Sequence, residues 1–355
     1  MSEPERSKSL VLVVGAGASK EVDLPVGAEL KREIANVLDI RFRNGYERTG
    51  DDYIVNALHI LVRSPDGRAG DINPLLEAAR LIRDAMPQAM SIDNFIDSHR
   101  ENERIALCGK LAIARCILAA EANSSLQFDR SNIYNKMNFS SLEPIWFNAF
   151  FQLLTESCQR QDLAARFQKV GVISFNYDRC IEHYLHSALQ NYYRLKSEEA
   201  AEVLSALEVH HPYGKVGVLP WMDANAGIEF GAPPDAKQLI EVAGKLRTFT
   251  EGTDASTSDI SVVRTSVATA ERIAFLGFAF HRINLELLFP GPRSKGPPDM
   301  RPIYATALGI SQSDAKLIAE DLAVMRNVLL ERIHIRTDLT CSQLFQEYRR
   351  SLSLC

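Results

Sequence analysis

The sequence predicts an α/β fold, a Rossmann-like parallel sheet with helices on both faces and a large helical insertion after the first strand. Three observations carry that expectation. Short, almost continuously apolar segments recur along the chain, each ending in turn residues. Long stretches with helical periodicity separate them. The first apolar segment runs directly into a glycine-rich turn, GAGAS. Near-continuous apolar strands suit a parallel sheet covered on both faces, since a half-wet antiparallel strand would alternate.

Five segments read as buried strands: 10–14 (LVLVV), 170–175 (VGVISF), 273–277 (IAFLG), 302–307 (PIYATA) and 332–335 (RIHI). A weaker sixth is 206–210 (ALEVH). Between the first two strands the pattern is mostly helical. Residues 25–40 place Leu30, Ile34, Val37 and Leu38 along one face, with Pro25 at the start. Residues 73–86, 92–120 and 144–167 continue in the same way. This is more than one crossover helix needs, so 41–168 is expected to form a helical insertion lobe beside the sheet, a place for an oligomer interface or a lid. Residues 213–235 and 289–301, rich in Gly and Pro, read as loops, and 251–261 as a polar, flexible stretch.

Composition narrows the class. The chain has 355 residues, 46% hydrophobic and 24% charged, with a formal net charge of -5. Direct nucleic-acid binding is not expected, because such domains are usually basic. The six cysteines form no C-x-x-C pair, so no zinc ribbon or other metal site is expected. The opening MSEPERSKS has no apolar core, and no apolar run reaches the about 20 residues that span a bilayer. A soluble, reduced, cytoplasmic protein without membrane attachment is the expectation.

Four motifs could carry chemistry. Gly15, Ala16, Gly17, Ala18 and Ser19 follow the first strand and precede a helix, where glycines let backbone approach a pyrophosphate. The same glycines fit a tight strand-to-helix turn with no ligand. The dinucleotide fingerprint would want a third glycine where Lys20 stands, and the P-loop spacing is absent. The second strand ends in FNYD, placing Asn176 and Asp178 where open α/β sheets bind ligands. Both could hold ribose hydroxyls or a carboxamide, and Asp178 could equally cap the following helix. His210 and His211 end the weak strand. Successive strand residues point to opposite faces, so one of them would face a ligand, and His211 is favoured because it precedes the turn. Finally LGFAF brings Gly277, Phe278 and Phe280, which could wall an adenosine or belong only to the core.

In this order and spacing, GAGAS with Pro25 behind it, FNYD, HPYG and LGFAF make the chain similar to the sirtuin superfamily across most of its length. The resemblance implies one NAD-binding domain over 1–355. The zinc module of histone-deacetylase sirtuins is missing, as is their Pro-Asp-Phe-Arg run, replaced here by DLPVGAEL. The Tyr of FNYD and the long helical insertion look instead like the bacterial sirtuin-like NAD-hydrolysing proteins of antiphage defence. That resemblance implies an NAD+ glycohydrolase, with NAD+ as substrate and no zinc, that depletes NAD when activated. It also implies homo-oligomers and a possible hexameric DNA-translocating ATPase partner (HerA-type). Carried over by motif, Asn176 would orient the nicotinamide ribose or the attacking water, and His211 would be the general base with His210 as competitor. Asp178 would hold the carboxamide or position Asn176. Gly15, Ala16, Gly17 and Ser19 would cradle the pyrophosphate, with Pro25, Gly277 and Phe278 completing the cofactor site. The alternatives are a non-catalytic NAD or ADP-ribose sensor or scaffold subunit and, third, a lysine deacylase.

Overall fold

The computed structural model describes residues 7–43, 46–129, 131, 134–248, 251, 260–290 and 297–355. A short antiparallel hairpin pairs β2 (Arg41–Arg43) with β3 (Tyr46–Thr49). The remaining described strands are β1 (Leu10–Val14), β4 (Val170–Ser174), β5 (Glu208–His210), β6 (Ile273–Leu276), β7 (Ile303–Thr306) and β8 (Ile333–Arg336). They form one sheet in the order β5-β4-β1-β6-β7-β8, every pair parallel.

The expected α/β architecture is therefore present, and its strand order has a consequence for ligands. The chain starts at the centre with β1, builds outward through β4 to β5, then returns to the other side of β1 for β6, β7 and β8. Neighbouring crossovers thus leave β1 toward opposite sides, and their loops part at the carboxyl ends of the strands. In open α/β sheets that reversal point is where ligands bind.

Strand β1 shows why the segment had no alternation. All five residues are buried, but they feed two cores. Val11 and Val13 join Ile173, Phe175, Ile273 and Phe275 on one face. Leu10, Leu12 and Val14 join Val170, Val172, Ala274 and Leu276 on the other. Each fully buried Val or Leu contributes about 1.5–3 kcal/mol relative to an exposed one, so β1 tolerates polar substitution on neither side.

The helices between β1 and β4 divide between these faces. Gly27–Val37, Asn73–Ala85 and Glu103–Asn123 bury their apolar stripes in the first core, whereas Trp146–Thr155 and Leu163–Phe167 pack in the second. Helix Glu103–Asn123 lies against Gly27–Val37, Asn73–Ala85 and also Ala236–Lys245, from the far side of the sheet sequence. Its Glu121 is fully buried and paired with the fully buried Arg179, whose Nε is 3.1 Å from Glu121 Oε1. Arg179 also donates to the carbonyl oxygens of Val218 and Ile228, so this pair ties the insertion to β4 and to the 213–235 loop.

Two expected helices are broken. Residues 92–120 hold helix Ile92–Ser98, capped by the Ser91 hydroxyl, and then a second helix begun by the Asn102 side chain accepting from Arg104 N. Residues 144–167 break at Ser157, which takes a left-handed backbone (φ 51°). Within the expected flexible stretch 251–261, residues 252–259 lie outside the described residues, as do 291–296 of the 289–301 loop. No described helix is long and apolar enough to cross a membrane.

Candidate functional site

The glycine-rich turn is shaped first by another glycine. Gly15 N donates to the Leu276 carbonyl at 2.9 Å, and Gly17 N to the Gly277 carbonyl at 3.0 Å. A Cβ on Gly15 would lie 2.7 Å from Gly277 O, and one on Gly17 would lie 2.9 Å from Gly277 Cα. Gly277 itself has φ 56°, and a Cβ there would come within 2.0 Å of Ala18 N. The end of β1 and the end of β6 thus approach at a distance only paired glycines allow. Two amides expected to cradle a pyrophosphate are donated within the protein instead.

Beyond Gly15, Ala16–Ser19 makes one helical turn, fixed from below. The Trp146 indole N–H donates to Ala18 O at 2.9 Å. Glu21 accepts from the backbone N–H groups of Trp146 and Ser342, at the starts of two other helices. Burial pushes the Glu21 carboxyl above its ordinary range, against those hydrogen bonds.

Asn176 and Asp178 emerge from β4 beside this turn. Asn176 Nδ2 donates to Gly15 O at 3.1 Å and to Ser19 Oγ at 2.9 Å. A carbonyl can only accept, so the amide flip is settled by its partner. Ser19 Oγ passes its own proton to Asp178 Oδ2 at 2.8 Å. Asp178 Oδ1 accepts from Cys180 N, the first residue of helix Cys180–Tyr193, although the N-cap position itself is taken by Arg179, with no side-chain cap. Burial raises the Asp178 carboxyl above its ordinary range, while the Ser19 and Cys180 bonds pull the other way. The chain Asn176–Ser19–Asp178 leaves Asn176 Oδ1 as the branch of the amide with no protein hydrogen bond among the described residues.

A cavity of about 240 Å³ opens over this chain. Its lining includes Gly15, Ala16, Ser19, Pro25, Asn176, Asp178 and Phe278 from the expected set. Gly17 and Gly277 are not lining residues; they act behind the wall, through the close approach above. Phe175, Tyr213 and Phe278 build an aromatic floor, with Phe175 edge-on to Tyr213 at 5.5 Å and to Phe278 at 5.1 Å between ring centroids. Phe280 packs on Phe275 and Phe278 in the core and does not line the cavity.

The opposite wall was not anticipated. Helix Ile92–Ser98 from the insertion brings Asp93, Asn94 and Asp97, and the segment after β6 brings His281 and Asn284. The Tyr177 hydroxyl donates to Asp93 and the Tyr213 hydroxyl to Asn284 Oδ1, the latter at 2.5 Å. Burial raises the Asp93 carboxyl and the Tyr177 hydroxyl above their usual ranges. No Lys or Arg is among the lining residues. A sequence signal existed for His281, which directly follows LGFAF. None existed for Asp93, because a helix more than 70 positions from β4 in sequence is brought to the site only by tertiary packing.

His211, the expected base, is not among the lining residues. It stands behind Asn176, its Nδ1 donating to the Asn176 carbonyl oxygen at 3.1 Å and its Nε2 placed 3.1 Å from Glu182 Oε1. Lys215 Nζ meets the same Glu182 oxygen at 2.5 Å. Burial works to raise the Glu182 carboxyl, but Lys215 and His211 outweigh it and hold the group well below the carboxylate range. His210 belongs to β5 itself, with Nε2 3.9 Å from Glu208, and is also outside the cavity. Among the described residues no group of three or more His, Cys, Asp or Glu side chains is placed to hold a metal ion.

A scan against models of protein families found no match to this chain, and a search of curated proteins found none.

Proposed function

We propose that this protein binds NAD+ with its nicotinamide riboside end in the cavity over Asn176 and hydrolyses the glycosidic bond. The observation that carries the proposal is the clamp on the Asn176 amide: Gly15 O and Ser19 Oγ hold Nδ2, and Oδ1 is left to a ligand. This polar group sits at the carboxyl end of β4, beside the reversal point of the sheet, above an aromatic floor suited to a planar ring. The cavity is below the about 300–1,000 Å³ of sites that enclose a whole ligand. It would therefore take one end of a dinucleotide, the rest lying across the strand ends.

The chemistry asks little of the side chains. In NAD+ the nicotinamide leaves as a neutral molecule, taking the electrons of the C1′–N bond, so no proton need be supplied to it. An oxocarbenium-like ribose remains, and a water oxygen bonds to C1′ and releases its proton to solvent water. Asn176 Oδ1 would accept a hydrogen bond from that water or from a ribose hydroxyl, fixing the face of attack. Asp97, also in the cavity wall, would add negative potential near a cation-like transition state. His211 enters this reading as the group behind Asn176, not as a base in contact with substrate.

That placement of His211 favours a second reading, a non-catalytic sensor of NAD or ADP-ribose, since both ring nitrogens already face protein acceptors. The antiphage setting, self-assembly and an ATPase partner belong to the proposal through the sequence resemblance alone. Purified protein incubated with NAD+, with nicotinamide and ADP-ribose quantified by chromatography, separates the two readings. Stoichiometric release of both products supports hydrolysis. Saturable binding of ADP-ribose without release under any condition, including self-assembled protein, supports the sensor and ends the hydrolase reading.

A further inference from the structure

We infer that Glu182 and Lys215 are positioning residues for Asn176, acting through His211. The inference rests on the reading of Asn176 as the group that faces substrate.

The turn after β5 brings the parts together. Gly214 N donates to His211 O at 2.9 Å, closing a tight turn in which Gly214 has φ 76°. A Cβ at Gly214 would meet Lys245 O at 2.4 Å, so the turn is also wedged against helix Ala236–Lys245. This folding sets His211 and Lys215 on a single oxygen of Glu182, at 3.1 and 2.5 Å. Glu182 is in the first turn of helix Cys180–Tyr193, whose first amide donates to Asp178. Its side chain is only 5% exposed. A buried carboxylate that lost the Lys215 ammonium and the His211 ring would be strongly unfavourable, so the three groups hold one another in place.

The far side of the histidine ring then fixes the site. Nδ1 holds the Asn176 carbonyl, and five residues on Val216 N donates to Tyr177 O at 2.8 Å. The turn is thus pinned to the backbone of two successive residues, 176 and 177. Asn176 is gripped twice, its side-chain amide by Gly15 and Ser19 and its backbone carbonyl by His211. With the backbone fixed and Nδ2 fixed, the direction of Oδ1 has no freedom left. Releasing the carbonyl would leave the side chain attached but let the peptide plane turn, which moves the amide relative to the cavity.

The experiment compares Glu182→Gln, Lys215→Met and Lys215→Arg in the full chain. Side-chain nitrogen NMR in the absence of NAD+ reads the His211 ring and the Asn176 amide, and steady-state nicotinamide release reads kcat and KM. In Glu182→Gln and Lys215→Met both sets of resonances should move. Their kcat should fall about 10- to 100-fold, as for loss of a supporting hydrogen bond behind a site residue, with KM little changed. Lys215→Arg should keep the wild-type resonances and kcat. Should Glu182→Gln not fold, Lys215→Met decides alone, because its side chain is 21% exposed and its loss leaves no large cavity. Folded Lys215→Met protein with unchanged His211 and Asn176 resonances would overturn the inference, whatever its activity. If wild-type protein releases no nicotinamide, the hydrolase reading falls while the resonances still decide the positioning.

Discussion

The glycine turn after β1 and the histidine turn after β5 look alike in sequence, since each ends a parallel strand with polar residues and glycine. They serve one residue from opposite sides. The first reaches the cavity, with Gly15, Ala16 and Ser19 in its wall, and holds the Asn176 amide. The second puts Tyr213 in the cavity floor but keeps His211 outside the cavity, where it holds the Asn176 carbonyl. The cause is sheet order. Strand β1 is central and borders both β4 and β6, whereas β5 is an edge strand that borders only β4. His211, directly at the end of β5, therefore meets the flank of β4 before it can meet a ligand above β1. Strand-end position alone does not make a residue part of a site; its neighbours in the sheet decide.

Substitutions can break this comparison at graded strength. The largest effect is expected at the buried pair that ties the insertion to β4 and to the 213–235 loop. Glu121→Ala leaves Arg179 charged, fully buried and without its carboxylate, and should cost about 3–5 kcal/mol. Urea denaturation should show a lower midpoint with little change in slope. Next comes Gly277→Ala, which breaks only the first turn. The left-handed backbone alone costs about 1–3 kcal/mol, and the overlap with Ala18 N adds to it. Its mark beyond stability should be weaker binding of ADP-ribose by calorimetry, because the wall formed by Gly15 and Ala16 must shift.

The second turn should reveal itself in acid. The Glu182 carboxyl is held below its unfolded range, so its stabilisation is complete above about pH 4.3 and is lost as pH falls below that value. Asp178 acts in the opposite sense. Its folded value is raised, so its contribution is greatest below the ordinary Asp range and fades as pH rises through the raised value. Thermal melts from pH 6 to pH 3 should therefore show a steep loss for wild type and a shallower one for Glu182→Gln. The smallest effect should be that of His210→Ala, outside the cavity and outside the Glu182 cluster. Its side chain is 17% exposed, so we expect a stability loss of about 1 kcal/mol and unaltered ligand binding.

Much of the fold was legible because burial on both faces writes itself into composition. All six parallel strands fall within a residue or two of their apolar segments, even the weak β5. Helix Gly27–Val37 was legible from its stripe and Pro25. The hairpin β2–β3 and helix Asp52–Leu61 were not, the hairpin because its strands are three and four residues long, too few to set a period. Asn176 and Asp178 were found because a strand end followed by Asn-x-Asp is a local pattern. The place of His211 outside the cavity was not, since β5 could have paired beside β1 as far as sequence tells. Glu182 had a signal that passed unused, an acid one helical turn beyond Asp178. Asp93, by contrast, reaches the cavity only through the packing of the insertion against the sheet.

The central claim is that Asn176, presented by the glycine turn, is the residue that acts on substrate while His211 supports it from behind. Nicotinamide release from NAD+ by wild type, Asn176→Ala and His211→Ala, each verified as folded by circular dichroism, tests it most directly. Asn176→Ala should release no nicotinamide above background, and His211→Ala should release it slowly with KM near the wild-type value. Full activity in Asn176→Ala would contradict the account.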